Sequence, residues 1–363
     1  MIRAMVGRKR RTSSFLMAQV LGQLRRILPN EHEIAAGRAV LHDCLGAREG
    51  EQVLVVYEDG YDDFAAALVM AADEVRAEVD AVKVGVPLIP NIVEKLERRL
   101  EKTDVSVLVS SYAFPRDVRT VLTAHRIDAR RHAHMLGVTE AILKQSLRAD
   151  YQAVHELGEQ LARVLESTYE IKVESPAGTD LRVRRDPSCR WHNQSGLQRE
   201  PGWTNLPAGE VATTPLAVDG VFVCDGGIWL TDGAIIDRAE SRKLVLRFEH
   251  GALVDAEGPD AVRAQLLADV DAHALGRRVG QVAFGTNVGV LAPIGQHAQD
   301  VKLPGVHLVL GYSAPDATGA SWNGEGMVTV LQRQESVWLD ARQIIQRGRF
   351  VSSLRPSQFP PPG

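Results

Sequence analysis

Gly280-Gln281-Val282-Ala283-Phe284-Gly285-Thr286-Asn287, then Gly305-Val306-His307-Leu308-Val309-Leu310-Gly311-Tyr312, then Asn323-Gly324-Glu325-Gly326-Met327 are the blocks on which the reading of this 363-residue chain turns. Glycines bound apolar runs in the first two blocks, as at the ends of short strands. Potential metal ligands stand at those strand ends. An earlier block, Leu206-Pro207-Ala208-Gly209-Glu210-Val211, adds a carboxylate after a proline–glycine turn.

Outward from these blocks the second half keeps one texture. Ile171–Ser175, Asp180–Arg184, Gly220–Cys224 and Lys243–Phe248 are short alternating segments between Gly, Pro and Asp turns, which reads as antiparallel strands. One helix, Asp260–Ala274, interrupts them. The first half differs. Helices over Glu33–Leu45, Asp62–Val75 and Pro90–Lys102 alternate with strands over Gln52–Tyr57, Glu78–Gly85 and Val105–Val109. That order predicts a parallel sheet with right-handed crossovers. Residues 138–167 read as a long helical connector, with Val154, Leu157, Leu161, Val164 and Leu165 at spacings of three and four. The expected organisation is a basic, flexible segment over 1–31, an α/β domain over 32–167, a larger α+β domain of mainly antiparallel strands over 168–354 that carries the site, and a Pro-rich tail over 355–363. The first sixteen or so residues read as a disordered basic tail or as lying upstream of a start at Met17.

The bulk numbers bound the function. Charged residues are 24% and hydrophobic residues 45%, ordinary for a globular protein. A net charge of -4 gives no reason to expect nucleic acid as a partner. No window approaches a membrane span. Cys44, Cys189 and Cys224 are odd in number and widely spaced, so neither a disulfide framework nor a thiolate zinc site is indicated, and a cytoplasmic location is the expectation. The turn after the first strand, Glu58-Asp59-Gly60-Tyr61-Asp62-Asp63, is acidic and cannot cradle a pyrophosphate. There is no GxSxG elbow, no HExxH helix and no P-loop. Cys189 lies near His192 in sequence, which says little about a dyad.

Gly178-Thr179-Asp180-Leu181, the Glu210 block, Gly285-Thr286-Asn287 and Gly305-Val306-His307-Leu308 resemble, in order and spacing, the signature blocks of the thermophilic aminopeptidase family (aminopeptidase T type). A related branch of that fold is the 2,5-dihydroxypyridine ring-cleaving dioxygenases. The resemblance spans about residues 34–350 and implies an α/β domain joined to an antiparallel domain, a homodimer, and a metal site. Carried over, it makes Glu210, His307 and Glu325 the metal ligands, with Glu210 and Tyr312 as the catalytic groups. Gln281 stands where the aminopeptidases carry a bridging glutamate, and Asn323 where a histidine is expected. Amide oxygens bind zinc, iron or cobalt weakly, and a dinuclear site needs anionic oxygens. The resemblance therefore implies one divalent ion (iron, manganese, zinc or cobalt) or none.

Each residue has a plainer alternative. His307 suits a hydrogen-bonded core histidine, Glu210 a loop carboxylate, Glu325 a turn and Tyr312 a packing residue. His297 and Asp300, with Lys302 after them, form either an accessory source of an imidazole or a solvated loop. Arg130, Arg131, His132 and His134 form either a binding cluster for a substrate carboxylate or a solvated helix end. Three functions follow: a divergent hydrolase acting on an amide, peptide or modified peptide in a specialised biosynthetic role; an iron(II)-dependent ring-cleaving dioxygenase; or a metal-free descendant that binds a ligand or works by acid–base chemistry. In each, the partner is a small molecule or peptide.

Overall fold

The computed structural model describes residues 20–85, 87–88, 90–236, 240, 244–351 and 354. The expectations for the extreme N-terminus and for the Pro-rich tail fall outside the described residues. Residues 20–31 do not behave as a flexible segment: Val20–Leu24 is helical, Leu24 is buried, and Arg25 makes a two-pronged ion pair with Asp73 at 2.6 and 3.0 Å.

The chain divides into two compact units, one of residues 1–151 and 196–208, the other of 152–195 and 209–363. The first is built on a parallel sheet. Its strands are β1 (Gln52–Glu58), β2 (Glu78–Val84), β3 (Val105–Ser110), β4 (Arg131–Leu136) and, from the returning segment, β8 (Gly202–Asn205). They lie in the order β2-β1-β3-β4-β8 with every pairing parallel. All six residues of β3 are buried, which is why it reads as a continuous apolar run. Helix α1 (Glu31–Arg38) starts in a capping box made by Asn30 and Glu33, and continues as a π-helical turn over Ala39–Cys44. Helix α2 (Asp62–Glu74) buries Phe64, Leu68 and a run of alanines. Helices α3 (Ile92–Leu100) and α4 (Arg116–Ala124) bring Leu96, Leu100, Val118 and Leu122 against Leu54, Val56 and Leu108.

Two sequence expectations change here. The 138–167 stretch is not one helix. The chain leaves helical geometry at Gln145 (φ −117°, ψ −90°) and resumes as α5 (Tyr151–Glu166). Leu157, Leu161 and Leu165 of α5 pack into the core of the second unit, so the division falls near Tyr151 rather than at 167. The cluster Arg130–His134 is not a solvated helix end. It enters and forms β4, an interior strand, where Arg131 is satisfied by Glu51 at 2.6 Å and by the carbonyls of Leu45 and Gly46. Those partners let a charged stretch be buried.

The second unit contains two antiparallel sheets. The eight-stranded sheet uses β5 (Glu170–Glu174), β6 (Asp180–Arg185), β10 (Pro215–Cys224), β13 (Leu244–Glu249), β14 (Ala252–Glu257), β18 (Ser336–Leu339), β19 (Arg342–Gln346) and β20 (Arg349–Phe350). The seven-stranded sheet uses β7 (His192–Gln194), β9 (Glu210–Thr213), β11 (Gly227–Trp229), β12 (Ile235–Ile236), β15 (Val279–Gly285), β16 (Gly305–Gly311) and β17 (Met327–Leu331), in the order β12-β11-β17-β16-β15-β9-β7. Both sheets, with α5 and helix α6 (Asp260–Asp271), contribute to one apolar core, where Val183, Phe222 and Leu246 meet Phe284, Leu308 and Val330. The expected α/β domain plus antiparallel domain is what the molecule has. Among the described residues no helix is long and apolar enough to cross a membrane. The three cysteines are buried free thiols.

Candidate functional site

Alternation along the seven-stranded sheet decides which side chains can meet. Val211, Val282, Phe284, Val306, Leu308, Val328 and Val330 point into the core. Glu210, Gln281, Ala283, His307, Val309, Thr329 and Leu331 therefore share the opposite face. A register shift between Val279 and Gln281 keeps Gln281 on that side. Over the same face lie residues 286–304, with one turn of helix at His297–Asp300 and a small apolar cluster of Trp229, Val301 and Leu331.

Glu210 and His307 are separated by strand β15, Glu210 opposite Gly285 and His307 opposite Ala283. The small side chains between them let the carboxylate and imidazole approach: His307 Nε2 lies 3.5 Å from Glu210 Oε2. Lys302 comes still closer, its Nζ 2.8 Å from the same oxygen. The side chains are only 12% exposed for Glu210, 11% for Lys302 and 4% for His307. Burial pushes the Glu210 carboxyl up, but Lys302 and His307 outweigh it and hold the group well below the usual carboxylate range.

Backbone contacts fix this trio. Gly209, at φ +118°, packs so closely on Asn287 that an added Cβ would stand 2.7 Å from the Asn287 Cβ. Thr286 N–H donates to Gly209 O at 2.9 Å, and Asn287 N–H to Lys302 O at 3.1 Å. The Gly285-Thr286-Asn287 block thus ties the Glu210 segment to the Lys302 segment.

The other sequence candidates sit as follows. Gln281 Nε2 donates to Tyr312 O at 3.1 Å. Asn323 Oδ1 accepts from Ser313 N at 3.0 Å and Oγ at 3.1 Å. Both amides are therefore turned to local structure. Glu325 is exposed in the turn before β17, and Tyr312, just past β16, is 38% exposed. His297 is half-buried, edge-on to Trp229 with ring centroids 5.6 Å apart and its Nε2 3.2 Å from Thr329 Oγ1. Burial and then Lys302 push its imidazole down to about 4, so it is neutral near pH 7. Asp300 is buried and accepts from Ile294 and Gly295 N–H, both at 2.8 Å. These bonds tie Asp300 to the loop before it. His134 belongs to the first unit, where it packs against His132 and Trp203. One group was missed in the sequence. His192 of β7 is half-buried, lowered first by burial and raised by Glu210, which starts the neighbouring strand. Its pairing with β9 exists only in three dimensions.

Among the described residues, no three or more His, Cys, Asp or Glu side chains are grouped to hold a metal ion, so Glu325 does not complete a set with Glu210 and His307. An ammonium already neutralises the one carboxylate of the pair, and a divalent ion at that oxygen would face its repulsion. The set fits neither a dinuclear centre nor a two-histidine, one-carboxylate iron site.

The model of the 2,5-dihydroxypyridine 5,6-dioxygenase family (NicX) matches residues 34–273. The chain belongs to the 2,5-dihydroxypyridine 5,6-dioxygenase family. The matched part includes Glu210 and ends before Gln281, His307, Tyr312, Asn323 and Glu325. Two solved structures are similar to this family member throughout. The 2,5-dihydroxypyridine dioxygenase from Pseudomonas putida KT2440 has a TM-score of 0.63 at 16% identity, covering 89% of this chain and 99% of its own. Wild-type AmpT from Thermus thermophilus has a TM-score of 0.64 at 16% identity, covering 88% and 99%. At that identity both likenesses speak for the fold, and they do not make the chain an aminopeptidase. No curated protein sequence matches it.

Proposed function

We propose that this member of the dioxygenase family acts on a small organic molecule by acid–base and electrostatic chemistry, with Lys302, Glu210 and His307 in place of a metal centre. The carrying observation is the 2.8 Å contact between Lys302 and Glu210, both side chains nearly buried. Glu210 stays ionised at neutral pH and is a poor base. Its part is to place charge: it holds the Lys302 ammonium at 2.8 Å and stands beside His307 Nε2. The carboxylate lies 3.5 Å from His307 Nε2, close enough to attract the ring when it takes up a proton from substrate. Lys302 adds fixed positive charge where a substrate oxyanion would develop. Tyr312, just past β16 and 38% exposed, is a hydroxyl candidate for substrate contact.

A second reading, iron(II)-dependent ring cleavage, is supported by the family match over 34–273. Hydrolysis of an amide or peptide bond is supported by fold likeness alone. A homodimer is part of the proposal and light scattering checks it. The deciding experiment measures metals and oxygen uptake together. The purified protein, dialysed and then offered iron(II), zinc, cobalt or manganese, is expected to keep well under one ion per chain and to take up no oxygen with 2,5-dihydroxypyridine. A tightly held iron whose removal abolishes oxygen uptake would sink the metal-free reading and establish the second. Activity on a hydroxylated aromatic acid or amide that survives chelation, and is lost in Lys302→Met and His307→Gln, is the expected result.

A further inference from the structure

A second group of buried polar side chains lies in the first unit, on β4 and the elements packed against it. His132 and His134 are two residues apart on the strand and share a face. Their rings meet edge to face with centroids 4.8 Å apart, and His134 meets Trp203 of β8 at 5.6 Å. On β3, Ser106 pairs with His132, its hydroxyl 2.7 Å from His132 Nδ1. Arg130 donates to Ser106 Oγ at 2.6 Å and to the His125 carbonyl at 3.0 Å, and its third contact is the Leu122 carbonyl. His132 Nδ1 also lies 3.1 Å from the Ser106 carbonyl, which can only accept, so Nδ1 carries the ring hydrogen and Nε2 is left as an acceptor.

The cluster has buried nitrogens left without partners. His132 Nε2, His134 Nε2 and Arg119 Nε are all buried without a hydrogen-bond partner. Buried polar atoms in that state are rare in proteins and mark a missing partner, and Arg119 Nε, always a donor, calls for an acceptor. The charged and titratable groups that act on the two histidines are each other, Arg130 and Arg119, with no carboxylate among them. A buried guanidinium with imidazoles and no counter-ion calls for an anion. Trp203 is 46% exposed, while His134 is 6% exposed and His132 fully buried.

We infer that this cluster binds the carboxylate of a small aromatic acid, held by Arg119 and His134 with the ring against Trp203. Arg119 offers the planar fork that matches a carboxylate, and an aromatic face beside it accepts a ring. Arg130 and His132 form the fixed wall behind. The site is independent of the Lys302 centre and of the chemistry proposed there.

The test is a titration of the full chain with benzoate, acetate and inorganic phosphate, followed by tryptophan fluorescence and by the histidine ring signals in NMR. Benzoate is expected to saturate one site and to bind about tenfold or more tighter than acetate. Arg119→Gln and His134→Gln are each expected to weaken benzoate by about tenfold, with Arg119→Lys between. Trp203→Ala is expected to weaken benzoate and leave acetate unchanged. Arg119 is only half-buried on its helix, so its variants report binding rather than folding, and an unmoved melting midpoint verifies it. The inference is overturned by no saturable response up to about 20 mM benzoate, by binding that Arg119→Gln and His134→Gln leave intact, or by phosphate binding tighter than benzoate.

Discussion

Lys302 is the residue that changes the reading of this chain. In sequence it follows His297 and Asp300 in what could be a solvated loop. In the fold its ammonium lies 2.8 Å from Glu210, a contact across 92 positions that no local pattern announces. Removing one partner of a nearly buried pair leaves an uncompensated charge. Lys302→Met is therefore expected to destabilise the second unit by about 3–5 kcal/mol, and Lys302→Met with Glu210→Gln by clearly less. Urea unfolding of the wild type, both single variants and the double variant checks this; a double-variant loss equal to the sum of the two single losses would mean the pair is not coupled. The same contact sets a pH dependence. The folded carboxyl of Glu210 lies below its unfolded value of about 4.5. Its stabilisation is thus present above that range and is lost as pH falls below it. Wild-type melting temperature should fall more steeply than that of Glu210→Gln below about pH 4.5.

At the scale of elements, the glycines of the quoted blocks were legible as strand ends, but what they make room for was not. Gly285 is the clearest case. A Cβ there would stand 1.9 Å from Leu303 O and 2.7 Å from the Lys302 carbonyl carbon. Gly285→Ala must push the Lys302 segment off the sheet, with an overpacking cost of about 1–3 kcal/mol. The expected outcome is lower stability together with loss of the Lys302–Glu210 contact, seen as a rise in the Glu210 carboxyl pKa by NMR. An unchanged pKa would show that the loop yields without moving Lys302. Strand β16 has a second support. Glu335 is buried and accepts from Val306 N–H at 2.6 Å, next to His307. Burial raises its carboxyl to about 8, with Asp225 adding to the shift. A folded value above the unfolded one means stability declines as pH rises from the ordinary glutamate range to about 8, by at most about 1.4 kcal/mol per pH unit. Glu335→Gln keeps an acceptor for Val306 and should flatten that decline. A wild type whose stability does not change between pH 5 and 8 would contradict the assignment.

At the scale of the whole molecule, the two textures of the sequence correspond to two cores, yet the boundary lay elsewhere than composition suggested. Periodicity showed that α5 has an apolar face without showing which unit receives it. Leu157, Leu161 and Leu165 go to the antiparallel sheets, while residues 196–208, too short to read as a domain piece, return to the parallel sheet as β8. The buried arginines entering β4 hid that strand for a related reason: Arg130 and Arg131 are matched by Ser106 and Glu51, partners distant in sequence. Separate cores make a separable prediction. Leu161→Ala removes a fully buried side chain from the second core and should cost about 2–5 kcal/mol there. Leu108→Ala should do the same in the first. Hydrogen exchange by mass spectrometry distinguishes them. Leu161→Ala should speed exchange in β10, β15 and β16 and spare β1 and β3, and Leu108→Ala should do the reverse. Both variants accelerating exchange everywhere would mean that the units unfold as one cooperative body, and that α5 transmits stability between them rather than belonging to one.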